Sequence, residues 1–155
     1  LTDLPVHLHV IGATVVDDEQ ESQRLPNITH YGWQQREAIW SFVEACDAVL
    51  VPSRWEGFGL AAIEALRQGK PVLASNVDAL PEVVRDGVTG MMFPAEDPQA
   101  LAQFIRGLDR QKLAEMGSAG RADFLARFTG ERMNRAILDC YRAVLYERAL
   151  ATRLA

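Results

Sequence analysis

Short apolar runs closed by turn residues alternate with helical patterns along the first two thirds of the chain. The runs VHLHVIG (6–12), NITHYG (27–32), DAVLVPS (47–53), KPVLASN (70–76) and TGMMFP (89–94) are rich in β-branched or bulky residues. The third and fourth are almost continuously apolar, which suits strands covered on both faces. Between them, QREAIWSFVEAC (35–46), LAAIEALRQG (60–69) and the shorter LPEVVRDG (80–87) carry helical spacing. Strand and helix alternating at these distances predict an α/β fold, an open parallel sheet with right-handed crossovers and flanking helices.

Past Pro94 the pattern becomes purely helical. Asp97 is placed as an N-cap with Pro98 at the first helical position, opening PQALAQFIRGL. Further helices are expected at about 110–128 and 130–150, with Thr129 and Gly130 marking the break. In the last of these, Met133, Ile137, Leu138, Tyr141, Val144 and Leu145 recur at intervals of three and four, giving one strongly apolar face. Packing on the chain's own sheet is the expected use of that face; a neighbouring domain is the alternative. The whole reads as a single domain over 1–155, an α/β core at 1–106 and C-terminal helices at 107–155.

At 155 residues, 48% hydrophobic and 24% charged, the composition is that of a soluble globular protein with one core. A net charge of −5 argues against a broad nucleic-acid footprint, which needs clustered Lys and Arg, but leaves room for a small anion site. Cys46 and Cys140 have no CxxC or Cys/His spacing around them and are expected to be buried free thiols of a reducing compartment. The N-terminus lacks the basic and apolar regions of a signal peptide, and no stretch approaches the ~20 apolar residues of a membrane span. The acidic run DDEQES (17–22) is expected to be a solvated loop rather than a metal site. The chain starts a few residues before an apolar strand, as an excised domain would.

The segment RWEGFGLAAIEALRQGKP, Arg54 to Pro71, concentrates the candidate chemistry. It follows the strand at 47–52, and in open parallel sheets ligands bind beyond the carboxyl ends of strands, where helix N-termini point. Gly57 and Gly59 allow close backbone approach, and free amides near Gly59 and Leu60 at a helix N-terminus suit a phosphate. Glu64 shares a helix face with Leu60 and Ala61, so it borders an apolar stripe and needs a partner. Paired ribose hydroxyls would serve, since a carboxylate accepts from both; a surface pairing with Arg67 is the plain alternative. Glu56 could accept from the hydroxyls of a second polyol, or simply favour the helix dipole.

EGFGLAAIE, Glu56 to Glu64, resembles the E-x7-E motif of GT-B glycosyltransferases, in particular the retaining group 1 or GT4 family. Residues 45–102 resemble that family's donor-binding half nearly throughout, HVIG and HYGW resemble its earlier strand ends, and the helical tail matches loosely. The resemblance implies a Rossmann-like C-terminal domain, its first strand missing, that binds a nucleotide diphosphate sugar, UDP- or GDP-linked, without metal or other cofactor. It further implies that Glu64 holds the ribose hydroxyls and that Glu56, the catalytic candidate, contacts the transferred sugar near the reacting carbon. Main-chain amides of Gly57, Phe58, Gly59 and Leu60 would hold the sugar or its phosphates, and Trp33 or Gln34 would touch the base or serve as ordinary packing.

Some expected features are absent from these residues. No segment like the family's GR…KG, whose Arg and Lys clamp the diphosphate, precedes Leu4. Nor is there an N-terminal acceptor-binding domain, through which alone membrane association would be expected, so this portion is expected to be inactive by itself. Where many relatives carry a glycine pair, the chain reads Asp78-Ala79. Pro81-Glu82 keeps the family pattern, and equally suits proline and glutamate in a helix's first turn. The resemblance implies polysaccharide or glycolipid synthesis of bacterial type, in the cytoplasm or at the inner membrane face. Two other readings share the fold: a sugar-nucleotide epimerase, for which His7, His9 and His30 on the first two strands are poorly placed, and a nucleotide-sugar-binding module without turnover.

Overall fold

The computed structural model describes residues 6–12 and 25–154, with side chains described up to residue 146. The acidic run at 17–22 lies outside the described residues. Strands β1 (Leu8–Val10) and β2 (Ile28–His30) pair in parallel, Leu8 opposite Ile28 and Val10 opposite His30. Their side chains bond across the pair: His7 Nε2 lies 2.8 Å from Thr29 Oγ1, and His9 Nδ1 lies 2.9 Å from the Tyr31 hydroxyl. Helix α1 (Arg36–Ala45) follows. A second parallel sheet then runs in the order β3 (Val49–Val51), β4 (Val72–Ser75), β5 (Gly90–Phe93), with helices α2 (Leu60–Arg67) and α3 (Leu80–Val83) in the connections. Helices α4 (Pro98–Arg106), α5 (Arg110–Arg127) and α6 (Gly130–Leu154) complete the chain.

The α/β architecture that the alternation predicts is therefore present, with every strand pair parallel. Strand β4 is buried along its whole length, as its unbroken apolar run requires. Val72 and Ala74 point to one layer, where Ala62, Ile63, Ala65 and Leu66 of α2 meet Leu80, Val83 and Val84. Leu73 points to the other, against Phe93, Leu101, Phe104 and Ile105. Helix α5 covers α2 at very short range: a Cβ at Gly117 would stand 2.1 Å from the carbonyl oxygen of Gly69, so only glycine permits the approach. Asp97 caps α4, accepting from the amides of Gln99 and Ala100 at 3.1 and 2.9 Å, with Pro98 next in line.

Three expectations for the α/β core are corrected. The strands form two hydrogen-bonded sheets rather than one. A cleft of about 490 Å³ separates them, lined by Val6 to His9 on one side and by Ala48, Leu50 and Leu73 on the other. Leu50, which lines the cleft, is consequently only half-buried, and Val49 on the other layer is half-buried too, unlike the fully covered strand their sequence suggests. Helix α3 stops at Val83 instead of reaching Gly87, because the Thr89 side chain takes the Arg85 amide at 2.9 Å and the Arg85 carbonyl accepts from Val88 and Thr89, forming a turn.

The apolar face of α6 does not pack on the sheet. Tyr141 and Leu145 are each 65% exposed, because α2 and then α5 already occupy the layer over the sheet. Cys140 is exposed with that face, and Cys46 is half-buried, so neither is the fully buried thiol expected; both are free.

Candidate functional site

The turn between β3 and α2 is built around Gly59, which stands at the helix N-cap with φ 84° and ψ 42°. That left-handed conformation favours glycine, and the space agrees, since a Cβ there would meet Leu80 Cδ2 at 3.2 Å. Its carbonyl accepts the Ile63 amide at 3.0 Å and so starts the helix. The buried face of α2 is Ala62, Ile63, Ala65 and Leu66, four residues at helical spacing. This corrects the apolar stripe on which Glu64 was expected to border: Leu60 is 64% exposed, Ala61 is exposed, and Glu64 is half-exposed on that open side.

Glu56 lies half-buried just before the turn and folds its carboxylate over it. Oε1 accepts from the Gly59 amide at 3.1 Å and, more loosely, from the Phe58 amide at 3.5 Å, while Oε2 lies 3.4 Å from the Ser53 hydroxyl. Two of the amides expected to face phosphates are thus turned to a carboxylate of the same loop. Those of Gly57 and Leu60 have no acceptor among the described residues. The arrangement is that of an anion at a helix N-terminus, with Glu56 itself as the anion.

Glu64 sits further along α2, its Oε1 3.8 Å from the Arg36 guanidinium of α1 rather than beside Arg67. Arg67 instead lies over one side of the Trp40 ring at 5.4 Å, and Arg36 lies over the same ring at 5.2 Å. Glu64 also borders a cleft of about 490 Å³ with Arg67, Arg121, Phe124 and Phe128.

Trp33 and Gln34 occupy the loop after β2. Trp33 is 83% exposed, whereas Gln34 turns back to donate to the Tyr31 carbonyl at 2.7 Å. Among the described residues no hydrogen bond, ion pair or ring contact joins either of them to the Glu56–Glu64 segment. The link is indirect: α1 starts at Arg36, which reaches Glu64. Arg36 was not singled out from the sequence, although an arginine opening the helix after a strand end is the only signal it offers. The loop after β4, where the sequence reads Asp78-Ala79 in place of a glycine pair, is joined directly to the turn: Asp78 Oδ2 accepts the Glu56 amide at 3.0 Å. Among the described residues, no cluster of three or more His, Cys, Asp or Glu could hold a metal ion.

The family Glycosyl transferases group 1 matches residues 2–123. This chain belongs to the group 1 glycosyltransferases. Its GT-B type of donor-domain fold agrees with the likeness to the Anabaena HepE protein solved in complex with UDP: TM-score 0.82, 27% identity, 92% of this chain and 43% of that one. The chain is 34% identical over 146 residues, 94% of its length, to the D-inositol 3-phosphate glycosyltransferase of Saccharomonospora viridis, of which it covers 31%. It is 39% identical over 97 residues, 63% of its length, to an uncharacterized 41.2 kDa protein in the cps region of Klebsiella pneumoniae, of which it covers 27%. This group 1 glycosyltransferase chain therefore spans less than a third of the length of those curated relatives.

Proposed function

We propose that this chain binds a nucleoside diphosphate sugar across the β3–α2 turn and serves as the donor half of a retaining glycosyltransferase. The carrying observation is that Glu56 and Glu64 flank a left-handed glycine that opens a helix at the carboxyl end of a parallel strand, within the family's matched segment. HepE, with which the fold is shared at 26% identity, was solved with UDP-glucose, which supports a UDP-linked donor.

In this reading Glu64 accepts from the ribose hydroxyls and gives up its 3.8 Å approach to Arg36. Glu56 turns from the amides it now caps towards the sugar, and in doing so releases the Phe58 and Gly59 amides for oxygens of the donor. Exchanging one anion for another keeps the Phe58 and Gly59 amides satisfied. In the transfer, charge develops on the β-phosphate as the glycosidic bond breaks, so amides fixed at a helix N-terminus lower the barrier more than contacts shared with the ground state. Trp33 and Gln34 border the base. Among the described residues no helix is long and apolar enough to cross a membrane. Contact with a lipid-bearing acceptor, at the inner membrane face or in the cytoplasm, falls to parts of a longer protein, and this chain alone transfers no sugar.

A second reading has one observation in its favour. Both glutamates already have structural partners, Glu56 its own turn and Glu64 Arg36, as they would in a module that keeps the fold without turnover. Calorimetric titration with UDP, GDP and ADP and their common sugar conjugates separates the two. Selective binding of one nucleotide, lost in Glu64→Ala, supports the donor role; binding indifferent to Glu64→Ala refutes the ribose assignment.

A further inference from the structure

The loops that follow β3 and β4 are fastened to each other at three points. Ser75 Oγ donates to the Ser53 carbonyl at 2.5 Å, Asp78 Oδ2 accepts the Glu56 amide at 3.0 Å, and the Ala79 amide meets the Glu56 carbonyl at 3.5 Å. Both backbone polar groups of Glu56 are therefore directed to Asp78 and Ala79, while its carboxylate is directed to Ser53, Phe58 and Gly59.

Asp78 adopts φ 44°, inside the left-handed region where glycine is at ease and a non-glycine residue carries strain. Aspartate is among the side chains that tolerate it best. A glycine would make the same turn without strain but would offer the Glu56 amide no acceptor. The side chain that accepts the strain is thus the one that supplies the bond, and a carboxylate accepting from an amide makes a charge-assisted bond of about twice the ordinary strength.

We infer that Asp78 is a positioning residue for Glu56, holding the peptide from which the Glu56 side chain reaches the donor sugar and so setting the preference for sugar-bearing donor over bare nucleotide. The inference rests on the donor reading of Glu56 given above. The experiment compares this chain with Asp78→Gly, which keeps the turn and deletes the acceptor, and with Asp78→Asn, which keeps both. Two quantities are read: hydrogen exchange of the Glu56 amide without ligand, with core amides as the folding control, and affinities for UDP against UDP-glucose and GDP against GDP-mannose.

Asp78→Gly is expected to speed exchange of the Glu56 amide by about tenfold or more as its protecting bond is lost. It should cut the sugar-donor preference by on the order of fivefold while leaving affinity for the bare nucleotide within about twofold. Asp78→Asn should restore both. Unchanged Glu56 exchange in Asp78→Gly, or equal losses for nucleotide and nucleotide sugar, overturns the inference. If the unaltered chain binds none of these ligands, the donor reading fails and the preference with it, and the exchange of the Glu56 amide still decides whether Asp78 positions that peptide.

Discussion

Glu64 of α2 lies 3.8 Å from the guanidinium of Arg36 on α1, so the carboxylate proposed to hold the ribose is approached by a cation from the neighbouring helix. Both side chains are substantially exposed, and such pairs contribute less than about 1 kcal/mol to stability. Glu64→Ala should therefore leave the melting temperature nearly unchanged. Its effect should appear in nucleotide affinity, which calorimetry should find weakened by roughly 1–3 kcal/mol, the scale of hydrogen bonds to a charged group. A variant that binds the nucleotide as tightly as the parent chain would end the ribose assignment.

Glu56 is expected to behave differently, because its carboxylate caps the turn besides being the proposed contact to the donor sugar. Removing it leaves the Gly59 amide without the acceptor now 3.1 Å away, so Glu56→Ala should cost about 0.5–1.5 kcal/mol of stability in chemical denaturation. In titrations it should weaken the sugar-bearing donor more than the bare nucleotide. Equal losses on both ligands would leave Glu56 as a cap only.

How much of this was legible in the sequence depended on whether the determinant was local. Asp97-Pro98 reads as a helix start and is one, since cap and first turn lie within four residues. The helix start near Gly59 and the buried strand 72–75 were legible for the same reason. Where a partner distant in sequence decides, the pattern misled or was silent. Periodicity locates the apolar face of α6 but cannot say that α2 and α5 already fill the layer over the sheet. Leu60 and Ala61 look like core beside Glu64, yet the core of α2 lies on Ala62, Ile63, Ala65 and Leu66. Arg36 of α1 and Asp78 of the loop after β4 reach the site from other elements, across 28 and 22 residues respectively (64 − 36 and 78 − 56).

The two cysteines offer a check on the packing around α1. Cys46 is half-buried at the end of that helix, and burial pushes its thiol above its ordinary pKa, with the charge of Lys70 opposing only in part. A folded-state value raised above the unfolded one stabilises the fold fully below the unfolded pKa and loses that contribution as pH rises through the folded value. Since the thiolate is the nucleophile, iodoacetamide at mildly alkaline pH should alkylate exposed Cys140 well before Cys46, and denaturant should bring the two rates together. Peptide mass spectrometry over time reads this directly; equal rates in the folded chain would contradict the burial of Cys46.

Gly59 bears on both fold and site. An alanine there would have to hold φ near 84° with its Cβ 3.2 Å from Leu80 Cδ2, so Gly59→Ala combines a left-handed penalty with a tight contact. A loss of about 1–3 kcal/mol in denaturant unfolding is expected. Gly57→Ala is the control: it stands in open space with no left-handed backbone, so it should be close to neutral in stability. If the two alanines cost the same, the turn is not held in the conformation described.

Asp123 has no counterpart among the sequence expectations, yet among the described residues it is the charged one that is buried. It is 6% exposed towards the C-terminal end of α5 and stands between two arginines, 3.2 Å from Arg85 and 2.8 Å from Arg127. Arg127 also donates to the Glu82 carbonyl, so this cluster ties α5 to the C-terminal end of the short helix α3, whose Leu80 bounds the Gly59 turn. Replacing Asp123 by alanine leaves two guanidinium groups facing each other without their anion. Removing one partner of a buried pair costs about 3–5 kcal/mol, and the arginines here are partly solvated, so a loss of about 2–3 kcal/mol is expected in urea unfolding. Asp123→Asn keeps the shape and one acceptor and should lose less. Because α3 supports the loop that carries Asp78 and the turn that carries Glu56, the alanine variant should also lower donor affinity at temperatures where it is still folded. Full affinity in a folded Asp123→Ala chain would show that α3 does not transmit its position to the site.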